Sequence, residues 1–319
     1  MANTNCSRSY HEAIHTLRKS LDVNGGGVRF DMIPTVMCLT LAELMIPDST
    51  TAMAEHIKAV GLLFQVYGPG ACQDGFLHKL FVGFRPLLTF QAILHRRPIF
   101  LSSPAWIETP FSTFDPSVMQ QLLNEAVVLP SLLHQADSLH QNPDLKIEFS
   151  CIDKTLQSFL ELTSRLENWE IMLYVDGSPP YWPYRSAKDT VIPLPLWYPN
   201  ITMANVFTNL WALQIVCMTE IKRFETRISQ NSKSDQGLGE IDTLILALAR
   251  QIYSSMDYLL QDEMELFGPA SAFFPLRVAF QTFEVDQSGY KEDIACIETI
   301  VKRLHRKGLL SARAFVFDE

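Results

Sequence analysis

The residues best suited to chemistry stand near the start of the chain. His11, Glu12 and His15 spell His-Glu-x-x-His, in which two imidazoles one helical turn apart hold Zn²⁺ and the glutamate acts as general base. Such a site needs a third ligand, and the next glutamate after Glu12 is Glu43. The apolar stripe Tyr10, Ile14, Leu17 and Leu21 leaves both histidines towards the polar side of their helix. We therefore expect a chance match and no metal. Asp74 and His78 lie one turn apart at the start of another helix, and read either as an acid–base pair or as a capping aspartate with a surface histidine. Arg96 and Arg97, with Trp106 and Glu108, make a polar corner. It either closes a helix C-terminus and anchors the following loop, or recognises a carboxylate or carbonyl. Tyr181, Trp182, Tyr184, Arg185, Trp197 and Tyr198 line one proline-stiffened segment. Rigid aromatics of this kind wall small-molecule pockets, and they equally pack a loop onto helices. No nucleophile elbow, phosphate loop or dinucleotide fingerprint occurs, so no cofactor is expected.

These residues must be held by helices. Helical spacing of apolar residues predicts helices over Tyr10–Leu21, Met32–Met45, Ala52–Tyr67, Phe76–His95, Pro116–His140, Ile152–Val175, Met203–Ile228, Leu238–Asp262, Phe273–Phe283 and Lys291–Lys307. Pro86 should kink or split the fourth of these. Residues 101–114 read as an ordered loop. No alternating run is long enough for a strand, so the fold class is all-α: a layered, solenoid-like array of helical hairpins forming one body over residues 1–319. Two linkers interrupt it, the aromatic and proline-rich 176–200 and the polar, mobile 229–239. The helix Phe76–His95 is apolar almost all round, and we place a functional cavity between it and the aromatic linker.

Composition narrows the function. The net charge is −9, and an acidic chain without a basic stripe repels a phosphate backbone, so direct nucleic-acid binding is not expected. The most basic cluster, Lys302, Arg303, His305, Arg306 and Lys307, sits in the last turns of a helix, where the dipole favours it. The six cysteines are far apart, and none is paired at zinc-ligand or redox-motif spacing. With no signal-like segment or long apolar run, the expected protein is intracellular, cytoplasmic or nuclear, with no membrane partner.

Several elements together resemble the regulatory region of fungal zinc-binuclear-cluster transcription factors. Tyr10–Leu21 is similar to its opening helix, and Leu41, Ala42, Glu43 and Leu44 to the end of its second. His56, Ile57, Gly61, Leu62, Gly68 and Pro69 resemble its third helix and Gly-Pro turn. Phe81, Arg85, Leu94, Arg96, Arg97, Pro98, Phe100, Leu101, Pro104 and Trp106 resemble the element that follows. Tyr198, Pro199, Asn200, Ala204 and Trp211 are similar to the entry of its central helix, and Gly268, Pro269, Pro275, Leu276, Arg277 and Ala279 to its later Gly-Pro and Pro-Leu-Arg elements. The cysteine-rich DNA-binding module that precedes such regions has no counterpart in this sequence, and the Trp expected near Cys296 is absent. The resemblance implies a regulatory or ligand-binding protein of fungal secondary metabolism that does not bind DNA. Its partner would be an apolar small molecule or a protein, with a homodimer possible. The competing expectation is a cofactor-free cyclase or isomerase working in a helix-lined apolar pocket.

Overall fold

The computed structural model describes residues 9–16, 19, 30–46, 50–141, 145–184, 193–229 and 238–318. It is 78% helical, so the all-α expectation holds. Helix α1 (residues 9–16) is followed by α2 (Met32–Glu43) and α3 (Thr50–Tyr67). Gly68, at φ +76°, closes α3, and a 3-10 turn over Pro69–Cys72 leads into α4 (Gly75–Leu94). The loop to residue 114 is ordered by two 3-10 turns and the short α5 (Pro104–Glu108).

Next come α6 (Val118–Ala126) and α7 (Leu129–Gln141), where one helix was expected. The break falls at Val127 and Val128, with Pro130 in the first turn of α7, where its missing N–H is harmless. The long α8 (Leu145–Met172) and α9 (Ile201–Ser229) flank the aromatic linker. α10 (Leu238–Ser254) stops earlier than its pattern suggests and hands over to the short α11 (Met256–Leu259). α12 (Phe267–Ser271), α13 (Phe273–Glu284), α14 (Lys291–Arg306) and α15 (Ala312–Phe317) complete the chain. α12 and α15 are too short to carry a legible period.

Pro86 does not split α4. Proline has no N–H, so the Val82 carbonyl one turn earlier loses its helical donor. The Gln120 side chain, from α6, supplies the replacement: its Nε2 donates to Val82 O at 3.0 Å.

Helix α9 is the hub. It packs against α6, α8, α10 and α13, and its residues 204–215 are buried all round. Among the described residues it is the one helix long and apolar enough to cross a bilayer, yet most of that apolar window is buried in the fold, as in a core helix. The buried apolar side chains form one connected cluster from Ile33 to Val316. Packing centres on this hub. Within the aromatic linker a two-residue antiparallel ladder sets Trp182 opposite Trp197 and Pro183 opposite Leu196. Of the second linker, residues 230–237 lie outside the described residues, as does the Gly25–Gly27 run.

Candidate functional site

The corner after α4 is built by a helix ending. The Arg96 N–H bonds to Ile93 O at 3.0 Å and the Arg97 N–H to Ala92 O at 3.1 Å, the paired bonds of a Schellman ending. Glycine is the usual residue at that left-handed position, and α14 follows the rule with Gly308 at φ +90°. α4 instead places Arg96 there at φ +52°, a conformation that costs a non-glycine residue about 1 kcal/mol. The side chain accounts for the exception. Arg96 Nε donates to Asp137 of α7 at 2.6 Å and Nη2 to Glu220 of α9 at 3.0 Å. Burial pulls the Arg96 pKa down, but these two carboxylates outweigh it and the net shift is upward.

Glu220 is the centre of this network. Its carboxylate is almost fully buried, also accepts from Arg223 at 2.9 Å, and lies 3.7 Å from His140 Nε2. The carboxylates that Arg96 recognises are therefore its own chain's. The expected grouping with Trp106 and Glu108 does not form. Trp106 is buried between Phe81 and Phe100, with ring centroids at 5.5 and 4.8 Å, and Glu108 is exposed.

Arg97 turns the other way. It is exposed and makes no side-chain hydrogen bond or ion pair among the described residues. It borders a groove of about 780 Å³ between α3, the end of α4, residues 97–100 and the C-terminal α15. Ile57, Leu62, Leu88, Phe100 and Phe315 line the groove with apolar surface, and Lys58, Arg97 and Arg277 add cations. Arg277 is already engaged: Nη1 donates to Phe315 O at 3.0 Å, and Nη2 pairs with Asp318 at 2.9 Å. Lys58 faces Glu55 at 3.7 Å, with both side chains solvated. Gly61 shapes the floor. A Cβ there would stand 3.1 Å from Leu88 and 3.5 Å from Phe100, so its absence lets α3 close onto α4.

A smaller cavity of about 380 Å³ is lined by Arg96, Glu220, Lys222, Asp242 and Asp286. Each of its ionised groups is satisfied internally: Arg96 by Glu220, Lys222 by Asp242 at 2.5 Å, and Asp286 by Ser288 and the Gly289 N–H. It presents no unpaired charge to a ligand.

The linker aromatics sit elsewhere. Tyr181 packs on Tyr198, Phe207 and Trp211, with centroids at 5.9, 5.2 and 5.3 Å. Burial chiefly, with Tyr174 and Glu170, pushes its hydroxyl up to about 12. Tyr198 is buried and its hydroxyl shares a 2.6 Å bond with Ser255. Burial likewise drives its pKa upward. Tyr184 stacks on Trp197 at 4.4 Å, and Trp197 meets Tyr258 edge-on at 5.9 Å. Trp182 and Tyr184 leave 46% and 44% of their surface exposed. These rings pack the linker onto α9 and α11, and none of them lines the groove beside α4, so a single cavity shared by α4 and the linker is not what the structure brings together. Arg185 lies outside the described residues.

The remaining candidates do not converge. His78 Nδ1 bonds to the Cys72 carbonyl at 2.9 Å, and its ring lies 5.3 Å from that of Phe114. Asp74 occupies the position before α4 without a side-chain cap bond and is exposed. The acid–base pair is absent. His11 and His15 are exposed on α1, and no cluster of three metal-ligating side chains occurs among the described residues.

Sequence reasoning missed one constellation. The Tyr10 hydroxyl hydrogen-bonds to buried Glu43 and lies 2.8 Å from His56 Nε2, which anchors α1 on α2 and α3. These residues are 33 and 46 positions apart, beyond any local pattern. No family model, curated protein or solved structure matches this chain, so the regulatory-region likeness rests on its own residues.

Proposed function

We propose that this is an intracellular ligand-binding protein of the regulatory kind, and that the groove beside α4 takes an amphipathic organic acid. The observation that carries the reading is Arg97, a guanidinium with no hydrogen-bond or ion-pair partner among the described residues, at the edge of a groove of mixed polar and apolar lining whose other cations, Lys58 and Arg277, each face a carboxylate. An apolar body would lie along Ile57, Leu62, Leu88 and Phe100, with its carboxylate on Arg97 as a charge-assisted, fork-shaped pair. The volume of about 780 Å³ is in the range of small-molecule sites. The likeness to fungal regulators supplies the biological role: ligand occupancy, not catalysis, is the output. The net charge of −9 argues against the chain touching DNA itself.

The test uses the anionic dye anilinonaphthalene sulfonate as reporter, displaced by decanoate or by decan-1-ol. Decanoate should compete at least about tenfold better, the scale of one charge-assisted hydrogen bond at a partly solvated site, and Arg97→Gln should erase that difference. Equal competition by acid and alcohol in the parent protein would sink the proposal.

A further inference from the structure

The basic cluster near the end of α14 divides into two groups. Arg303 pairs with Asp257 and Lys307 with Asp262, both directed towards the α11 side of the helix. Lys302, His305 and Arg306 face the opposite way, into a groove of about 730 Å³ between α13, α14 and α15. The dipole explains why cations collect at this helix end; it does not explain a groove beside them.

The floor of that groove is apolar, made by Phe280, Ile294, Val301 and Phe317, with the two phenylalanine rings edge-to-face at 4.7 Å. Its two ends carry opposite charge. Glu284 stands towards the start of α14, Glu298 pairs with Lys302 at 3.7 Å along its middle, and His305, Arg306 and Arg313 stand towards its end. Arg313 lies over the Phe317 ring at 5.8 Å, which extends the cationic rim across to α15. On a chain of net charge −9 this is a locally basic mouth on an apolar channel.

We infer that this groove docks an acidic amphipathic helix from a partner protein. Helix-in-groove recognition needs an apolar trough for one face of the incoming helix and complementary charge at its rim. Helices concentrate Asp and Glu in their first turn. The docked helix therefore runs antiparallel to α14, its acidic N-terminal turn against Arg306 and Arg313 and its basic end near Glu284. A second copy of α14 has the same charge polarity but is a poor occupant. Of its groove-facing residues only Ile294 and Val301 are apolar, and Val301 is 4% exposed.

The inference is independent of the ligand groove beside Arg97, and the experiment keeps them apart. A fluorescein-labelled synthetic helix with Glu in its first turns, a Leu stripe and Lys in its last turn is titrated against the full chain by anisotropy. Binding should weaken about tenfold in Arg306→Glu, since an attraction becomes a repulsion, and should be unchanged in Arg97→Gln. A peptide with the Glu and Lys ends exchanged should bind more weakly than the first. Equal binding of both peptides, unaffected by Arg306→Glu, would overturn the proposal. So would a dimer in light scattering that Arg306→Glu dissolves, which assigns the groove to a second copy. Adsorption to phosphatidylserine vesicles without peptide binding would assign it to a membrane and equally overturn it.

Discussion

Gln120 Nε2 donates to Val82 O at 3.0 Å, and so replaces the backbone donor that Pro86 removes from α4. The same side chain accepts from Arg85 Nη1 at 3.1 Å, and Arg85 is wholly buried with Asn124 as its other side-chain acceptor at 2.6 Å. Desolvation without a carboxylate partner lowers the Arg85 pKa to about 10. Gln120→Leu should cost about 2–4 kcal/mol in urea denaturation, because it leaves a half-buried carbonyl and part of a buried guanidinium unsatisfied. In a Pro86→Ala background, where an N–H returns to Val82, the same change should cost about 1 kcal/mol less. Strict additivity of the two substitutions would refute the relationship.

Arg96 offers a separation of backbone from side chain. Arg96→Ala loses the ion pairs to Asp137 and Glu220 and keeps the left-handed strain, so it should destabilise by about 2–3 kcal/mol; Arg223 still partners Glu220 and limits the loss. Arg96→Gly relieves the strain and should be about 1 kcal/mol less damaging than Arg96→Ala. Chemical denaturation of the pair decides it. A glycine variant no better than alanine would show that the φ of +52° carries no cost.

Long apolar periods made the helices legible: α13 and α14 lie where their patterns place them, within a residue or two. Short elements escaped because α12 and α15, at five and six residues, contain fewer than two helical periods. The sequence shows two adjacent arginines after α4, but only tertiary structure separates Arg96, turned inward to Glu220, from Arg97, turned outward to the groove. Glu220 lies 124 positions from Arg96, beyond any local pattern. Arg277 and Phe315, which line the same groove as Arg97, come from the far end of the chain, beyond the reach of any local pattern. Aromatic content alone did not tell packing from binding in residues 181–198. Exposure does, because Tyr198 is sealed while Trp182 is nearly half open.

That contrast is measurable. Trp182→Ala should change stability by less than about 0.5 kcal/mol, as for an exposed side chain, whereas Trp106→Ala, sealed between Phe81 and Phe100, should cost about 3–5 kcal/mol. Thermal melts of the two variants check this. A large loss in Trp182→Ala would mean that the linker is held chiefly by that ring.

His140 predicts the pH response. Its ring stacks on Phe224 at 4.7 Å, and its Nε2 lies 3.7 Å from Glu220 with no hydrogen-bond partner among the described residues. Burial first, then Arg223, Arg227 and Arg96, disfavour the imidazolium, and Glu220 opposes them without prevailing, so the pKa falls below its ordinary 6.5. The folded state thus holds this proton less tightly than the unfolded chain. Its contribution is intact above pH 6.5 and is lost as pH falls from there through the lowered folded value. Unfolding free energy measured from about pH 7 down to pH 5 should decline more steeply in the parent protein than in His140→Gln, which cannot titrate. Parallel profiles would show that His140 is equally protonated in both states and that the Glu220 cluster does not exclude its charge.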